Sequence, residues 1–215
     1  MTGFYSNHLL KEKTGEKDRY GRDVGFFELP DINELKKKVK QKYKNWYLCY
    51  FDKENSPSTF VSKLQYHFNY HEINKQVTIS ICGNTSESYS SPTFASITLS
   101  TVNYNCGAVQ ISNLISEIGG CGIGKFLLEQ VLKFLEEAGY SFVLMNTAGG
   151  YQNKLGKAFF EKKFGFIPMK DFCYVNQRSG NVNVWYCKYL PNTRVVSYTE
   201  DFSTPDEEGY EDEDF

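Results

Sequence analysis

The sequence predicts a mixed α/β (α+β) single domain built on a central, mostly antiparallel sheet flanked by helices. Three observations lead there. Strand-like runs at Val77 to Cys82, Phe94 to Ser100 and Ala108 to Ile115 follow one another as a meander. The stretch Glu117-Ile118-Gly119-Gly120-Cys121-Gly122-Ile123-Gly124-Lys125 then opens an amphipathic helix. After that helix come a short buried strand, Ser141 to Asn146, and a closing hairpin. At 215 residues the chain suits one hydrophobic core, and 40% hydrophobic and 16% aromatic residues mark it as globular.

Residues 1–30 are polar and interrupted by Gly15, Gly21 and Gly25, so they read as a loop-rich N-terminal arm. Pro30-Asp31 starts a helix whose apolar stripe is Leu35, Val39 and Tyr43. Lys36, Lys37, Lys38, Lys40, Lys42 and Lys44 cover the rest, a face read as solvated in preference to one built for nucleic acid or an acidic substrate. Trp46 to Phe51 reads as the first strand. Ser58 to Tyr70 fits either a helix capped by Ser58 or an aromatic strand. On a helix His67 and His71 would form a ligand pair, but they lack a third ligand, so ordinary histidines are the preferred reading.

The loop Gly83 to Pro92 inside the meander is rich in Asn, Ser, Thr and Tyr, all turn formers. In the helix after the glycines, Ile123, Phe126, Leu127, Val131, Phe134, Leu135 and Ala138 recur at steps of three and four, and Gly139 provides a stop. The hairpin pairs Phe172 to Asn176 with Val182 to Tyr189 around Arg178-Ser179-Gly180-Asn181. Residues 200–215 carry nine acidic side chains and no basic one, which predicts a disordered tail. The formal net charge of −2 hides this division: without the tail about +7 remains on residues 1–199. A solubilising tail is preferred to one folded back on a basic surface.

No apolar run approaches a membrane span and the first residues are no signal peptide, so a cytoplasmic protein without a membrane partner is expected. Six scattered cysteines with no C-x-x-C pair suggest reduced thiols, with disulfides the lesser alternative, and no metal site is expected.

Four glycines in the six positions 119–124 expose converging backbone N–H groups at the positive end of a helix. This is a seat for phosphate oxygens, the alternative being a turn chosen for tight packing. The spacing Gly120, Gly122, Gly124 fails the dinucleotide fingerprint. Gly119, Gly124 and Lys125 fit a P-loop, but Phe126 stands where the magnesium-binding hydroxyl belongs. A third template fits better. The stretch resembles the pyrophosphate loop of the GNAT acyltransferase superfamily, Q/R-x-x-G-x-G/A, with Gly122 and Gly124 at its small positions and Gly119 replacing the Gln or Arg. Downstream, Asn153 and Ala158-Phe159-Phe160-Glu161-Lys162-Lys163-Phe164-Gly165-Phe166 resemble the second GNAT motif, with Lys163 as an extra residue. The resemblance covers roughly residues 76–190, and the individual protein is not identified by it.

The resemblance implies an N-acyltransferase that takes an acetyl group from acetyl-CoA to an amine acceptor whose nature is open. It implies that pyrophosphate rests on Gly119, Gly120, Cys121, Gly122, Ile123, Gly124 and Lys125. The pantetheine arm would pair with Leu114, Ile115 and Ser116, where strands ending near Ile115 and Asn146 splay apart. Asn153 and Phe160 would contribute to the coenzyme site. The acid position is held by Phe160 and the base position by Ala108, neither able to move a proton; Tyr151 is the substitute candidate for the acid. Glu117 would repel bound pyrophosphate and is expected to point away. The rival expectation is a catalytically degenerate binding protein of the same fold that still holds the coenzyme. A lesser rival is P-loop-like nucleotide binding at 119–125. Nucleic acid is not an expected partner, and nothing in the sequence fixes the oligomeric state.

Overall fold

The computed structural model describes residues 27–71, 73, 76–86, 91–101, 108–137, 140–147, 158–175 and 182–191. The arm up to residue 26, the acidic tail, Ala138, Gly139, Tyr151 and Asn153 lie outside these.

The chain enters along Phe27, whose ring meets Tyr66, Phe68 and Phe134 at centroid distances of 5.2, 5.6 and 5.6 Å. Helix α1 (Ile32–Lys42) follows, capped by Asp31, whose Oδ1 accepts from the N–H groups of Asn33 and Glu34. Leu35 and Val39 are its buried stripe, as the periodicity predicts. Helix α2 (Lys44–Tyr50) corrects the sequence reading, which assigned Trp46 to Phe51 to a strand. A six-residue aromatic run satisfies both periods, and tertiary packing decides between them. In the helix Trp46 reaches Tyr50 at 5.0 Å, one turn on, and Trp46 and Phe51 both pack on Phe94. Leu48 and Cys49 are left exposed on the outer face.

Seven strands form one sheet in the order β1-β2-β3-β4-β5-β7-β6. Strand β1 (Lys63–His71) resolves the ambiguous stretch in favour of a strand and adds a fourth member to the meander of β2 (Gln76–Asn84), β3 (Thr93–Thr101) and β4 (Ala108–Ser116). Strand period puts the apolar residues on one face, where Tyr66 pairs with Ile81, Phe68 with Ile79, and Ile79 with Ile97. On the other face Thr78 meets Thr98 and Gln76 donates to Ser100. His67 and His71 now lie on a strand, about 13 Å apart along it, too far to share one ion.

Helix α3 (Ile123–Glu137) packs against β3 and β4 and is the longest described helix. Ile123, Leu127, Val131, Phe134 and Leu135 are buried, and Leu128 and Leu132 widen the stripe beyond the predicted face. Phe126 is half-buried. Strand β5 (Phe142–Thr147) lies parallel to β4, and β7 (Val182–Tyr189) sits antiparallel between β5 and β6 (Ile167–Val175). Every neighbouring pair but β4 and β5 is antiparallel, so the mostly antiparallel mixed α/β architecture is as predicted.

Between β5 and β6 stands a widened π-helical turn, Ala158–Lys163, closed by Phe166 N–H on Phe160 C=O and Gly165 N–H on Glu161 C=O. A π turn is a helix that has absorbed one extra residue. That accommodates Lys163, the surplus residue of the second motif, and leaves Phe164 and Phe166 buried. Gly165 closes the turn at φ +67, and Lys188 Nζ donates to the Phe164 carbonyl at 2.7 Å.

Candidate coenzyme site

The site starts from a bulge. Leu99 pairs with Ile111 but Thr98 pairs with Asn113, so Ser112 is an extra residue in β4. Its hydroxyl is hydrogen-bonded to that of Ser100 across the pair. Pairing of β4 with β5 ends one residue earlier, at Ile111 with Met145. From Ser112 to Ser116, β4 is held by β3 alone, and its edge toward β5 has no strand partner among the described residues. The predicted splay is present. Leu114 is half-buried against the core, Ile115 is 41% exposed, and Ser116 lies beneath Gly124.

The open edge runs straight into the glycine stretch. Glu117 N–H is still tied to the Phe94 carbonyl, and the Glu117 side chain is exposed. Ile118 and Cys121 are buried and anchor the loop to the core, while Gly119, Gly120 and Gly122 face outward. Gly120 and Gly122 have φ of +72 and +88, conformations that favour glycine. Gly124 is needed for another reason: a Cβ there would lie 3.1 Å from Ser116 Cβ, so its bareness lets α3 close on β4. Phe126 N–H makes the first helical bond, to the Gly122 carbonyl. The N–H groups of Gly122, Ile123, Gly124 and Lys125 precede it and form the unpaired first turn of α3. Lys125 Nζ is turned along the helix onto Glu129 at 3.1 Å, away from a P-loop lysine's task.

Sequence reasoning missed what faces this loop. Lys42 Nζ donates to the Gly120 carbonyl at 2.9 Å, and Tyr43 Oη donates to the Gly119 carbonyl at 2.7 Å. Lys38 Nζ lies 4.0 Å from where a Gly122 Cβ would stand. The lysine face of α1 is therefore not uniformly solvated, as the sequence suggested. Lys36 lies over the Phe51 and Phe60 rings, Lys40 over Tyr47, and Lys37 pairs with Glu34. Lys38 and Lys42 are left for the loop. The only signal in the sequence was their spacing of four, shared by Lys36 and Lys40. A cleft of about 200 Å³ lies between helix and loop, lined by Pro30, Glu34, Lys38, Cys121, Gly122 and Phe126, among others. Burial pushes the Cys121 thiol pKa up, against the pull of Lys42 and Lys38.

The second motif is apolar where chemistry would be wanted. Phe160 is half-buried and stands edge-on to Phe159 at 4.9 Å and to Phe166 at 5.9 Å. Ala108 is buried at the start of β4, opposite Phe142. Glu161 accepts from the buried Tyr186 hydroxyl at 3.1 Å. Among the described residues no group of His, Cys, Asp or Glu could hold a metal ion, and no helix is long and apolar enough to cross a membrane.

No family model matches the sequence, and neither does any curated protein. Solved structures similar in fold include the ribosomal-protein-S18-alanine N-acetyltransferase of Escherichia coli, at 16% identity and a TM-score of 0.43, covering 57% of this chain and 73% of that one. A putative GNAT-family acetyltransferase of Desulfovibrio desulfuricans has 14% identity and a TM-score of 0.42, over 53% and 69%. A probable acetyltransferase of Staphylococcus epidermidis has 12% identity and a TM-score of 0.43, over 76% and 95%. At such scores the likeness concerns the course of the chain and leaves activity open.

Proposed function

We propose that this chain is a GNAT-like N-acyltransferase that moves an acetyl group from acetyl-CoA to an amine. One observation carries the proposal: the open β4 edge at Ser112 to Ser116 leads without a break into the first turn of α3 at Gly122. An unpaired strand edge ending in an anion seat suits a ligand with an amide-bearing arm and a pyrophosphate. Acyl-coenzyme A is such a ligand.

In this reading Leu114, Ile115 and Ser116 supply backbone partners for the pantetheine, and the unpaired N–H groups of Gly122, Ile123, Gly124 and Lys125 receive the pyrophosphate, the Cys121 N–H being bonded to the Ile118 carbonyl. The acceptor's nitrogen lone pair attacks the thioester carbon. The C–N bond forms, the C–S bond breaks, and the thiolate leaves with the electron pair. The proton lost by the amine goes to water, because Ala108 and Phe160 offer no base or acid. Tyr151 remains the candidate donor to the thiolate. The same two apolar residues favour a second reading, a binding protein that keeps the coenzyme and has lost the reaction.

Titration calorimetry with acetyl-CoA, coenzyme A and ATP, joined to a thiol-release assay across a panel of amines, tests both. Binding of the coenzymes with thiol release supports the transferase. Coenzyme binding without release on any amine supports the binding protein. Binding of ATP alone would overturn both.

A further inference from the structure

We infer that Lys38 and Lys42 of α1 form the charged wall of the phosphate seat, supplying from a separate helix the long polar side chain that Gly119 lacks. The inference rests on the coenzyme reading above and adds to it the residues that grip the phosphates.

Electrostatics argues for an anion between these groups. Lys38 and Lys42 lie one turn apart on α1, where like charges repel. Both turn toward the positive end of the α3 dipole, at Gly120 and Gly122. Neither has a salt-bridge partner among the described residues. Asp31 and Glu34 line the same cleft, but their carboxylates are bonded to other groups: Asp31 accepts from the N–H groups of Asn33 and Glu34, and Glu34 binds Lys37 at 2.8 Å. Lys125, the remaining cation of the loop, is neutralised by Glu129. Two unneutralised ammonium groups facing a helix N-terminus are self-repelling in the free protein, and a pyrophosphate between them turns each repulsion into attraction. Their field already reaches the loop, since both oppose the upward shift of the Cys121 thiol.

The two lysines differ in role. Lys42 holds the Gly120 carbonyl and so shapes the loop as well as charging it. Lys38 makes no such bond and acts by charge alone. Lys38→Gln is therefore the cleaner probe, and Lys40→Gln is its control, with the same change in net charge on a side chain that lies over the Tyr47 ring.

The experiment is calorimetric titration of the full chain with coenzyme A and with inorganic pyrophosphate, at low and high salt. Lys38→Gln should weaken both ligands by about threefold and the Lys38→Gln/Lys42→Gln pair by about tenfold or more. Lys40→Gln should stay within about twofold of the parent, and arginines at 38 and 42 should restore binding. The difference between parent and double variant should shrink at high salt. A parent that binds coenzyme A while Lys38→Gln and the double variant bind it equally well overturns this inference and leaves the coenzyme reading standing. A parent that binds neither ligand overturns both. Should Lys42→Gln lower the melting temperature through its loop bond, Lys38→Gln decides alone.

Discussion

Gly119 and Gly122 belong to one loop, yet their backbones ask different things of a side chain. Gly122 sits at φ +88, which a β-branched residue adopts only under strain. Gly122→Val should cost about 1–3 kcal/mol of stability and, by crowding the phosphate seat, weaken coenzyme A by more than about tenfold. A Cβ on Gly119 would be 3.5 Å from Tyr43 Oη, an ordinary contact. Gly119→Ala should therefore melt within about 2 °C of the parent. Lys125→Ala should change coenzyme binding by less than about twofold, because that lysine is spent on Glu129. In a P-loop the order of Gly122 and Lys125 would reverse. A folded Gly122→Val protein that binds coenzyme A like the parent would remove the seat from the account, so melting must accompany each titration.

At the scale of elements, α1 and α3 were legible because each keeps a 3.6-residue stripe over three turns or more. Asp31 before an apolar stripe announced the start of α1, and Asp31→Ala should cost about 1 kcal/mol in denaturant melts. Leu127 is fully buried in α3, and Leu127→Ala should cost about 2–5 kcal/mol by the same measure. An equal loss at both positions would mean that α1 is held by its cap as firmly as α3 is by its core. Helix α2 was misread because seven residues hold too few turns to separate helix from strand, and its aromatics fit either. The contacts of Trp46 with Tyr50 one turn on and with Phe94 of β3 favour the helix. The π turn was legible only as a misfit, one residue too many between Glu161 and Gly165. How the chain would absorb that residue was not written locally.

Across the whole molecule, burial holds protons on three acidic groups. The Cys121 and Cys187 thiols and the Tyr66 phenol are all pushed up by desolvation, with Glu28 adding to the effect on Tyr66. A group whose folded pKa is raised binds its proton more tightly in the folded state. Its contribution is complete below the unfolded pKa and lost as pH rises through the folded one. Stability should therefore decline from about pH 8.5 upward, where free thiols begin to ionise. Melting curves between about pH 7 and pH 10 should show this, and Cys121→Ala/Cys187→Ala should flatten the decline. A stability that rises across that range would contradict the burial of these thiols.

The sequence alone determined the order of elements from β2 onward, the antiparallel character of the meander and the helix opened by glycines. These are written in periods of 2 and 3.6 and in glycines clustered at a helix mouth, all local along the chain. It also placed Leu114 to Ser116 next to the loop, since strand and loop are contiguous. Tertiary structure alone decided that β4 leaves β5 after Ile111, because a bulge at Ser112 shows only in register against β3. It decided, too, which two of the five near-identical lysines of α1 meet the glycines. A run of lysines on one helix carries no local mark of its partner. The choice falls to the rotation of α1 about its buried stripe, and Leu35 and Val39 fix that rotation by packing into a core drawn from distant parts of the chain.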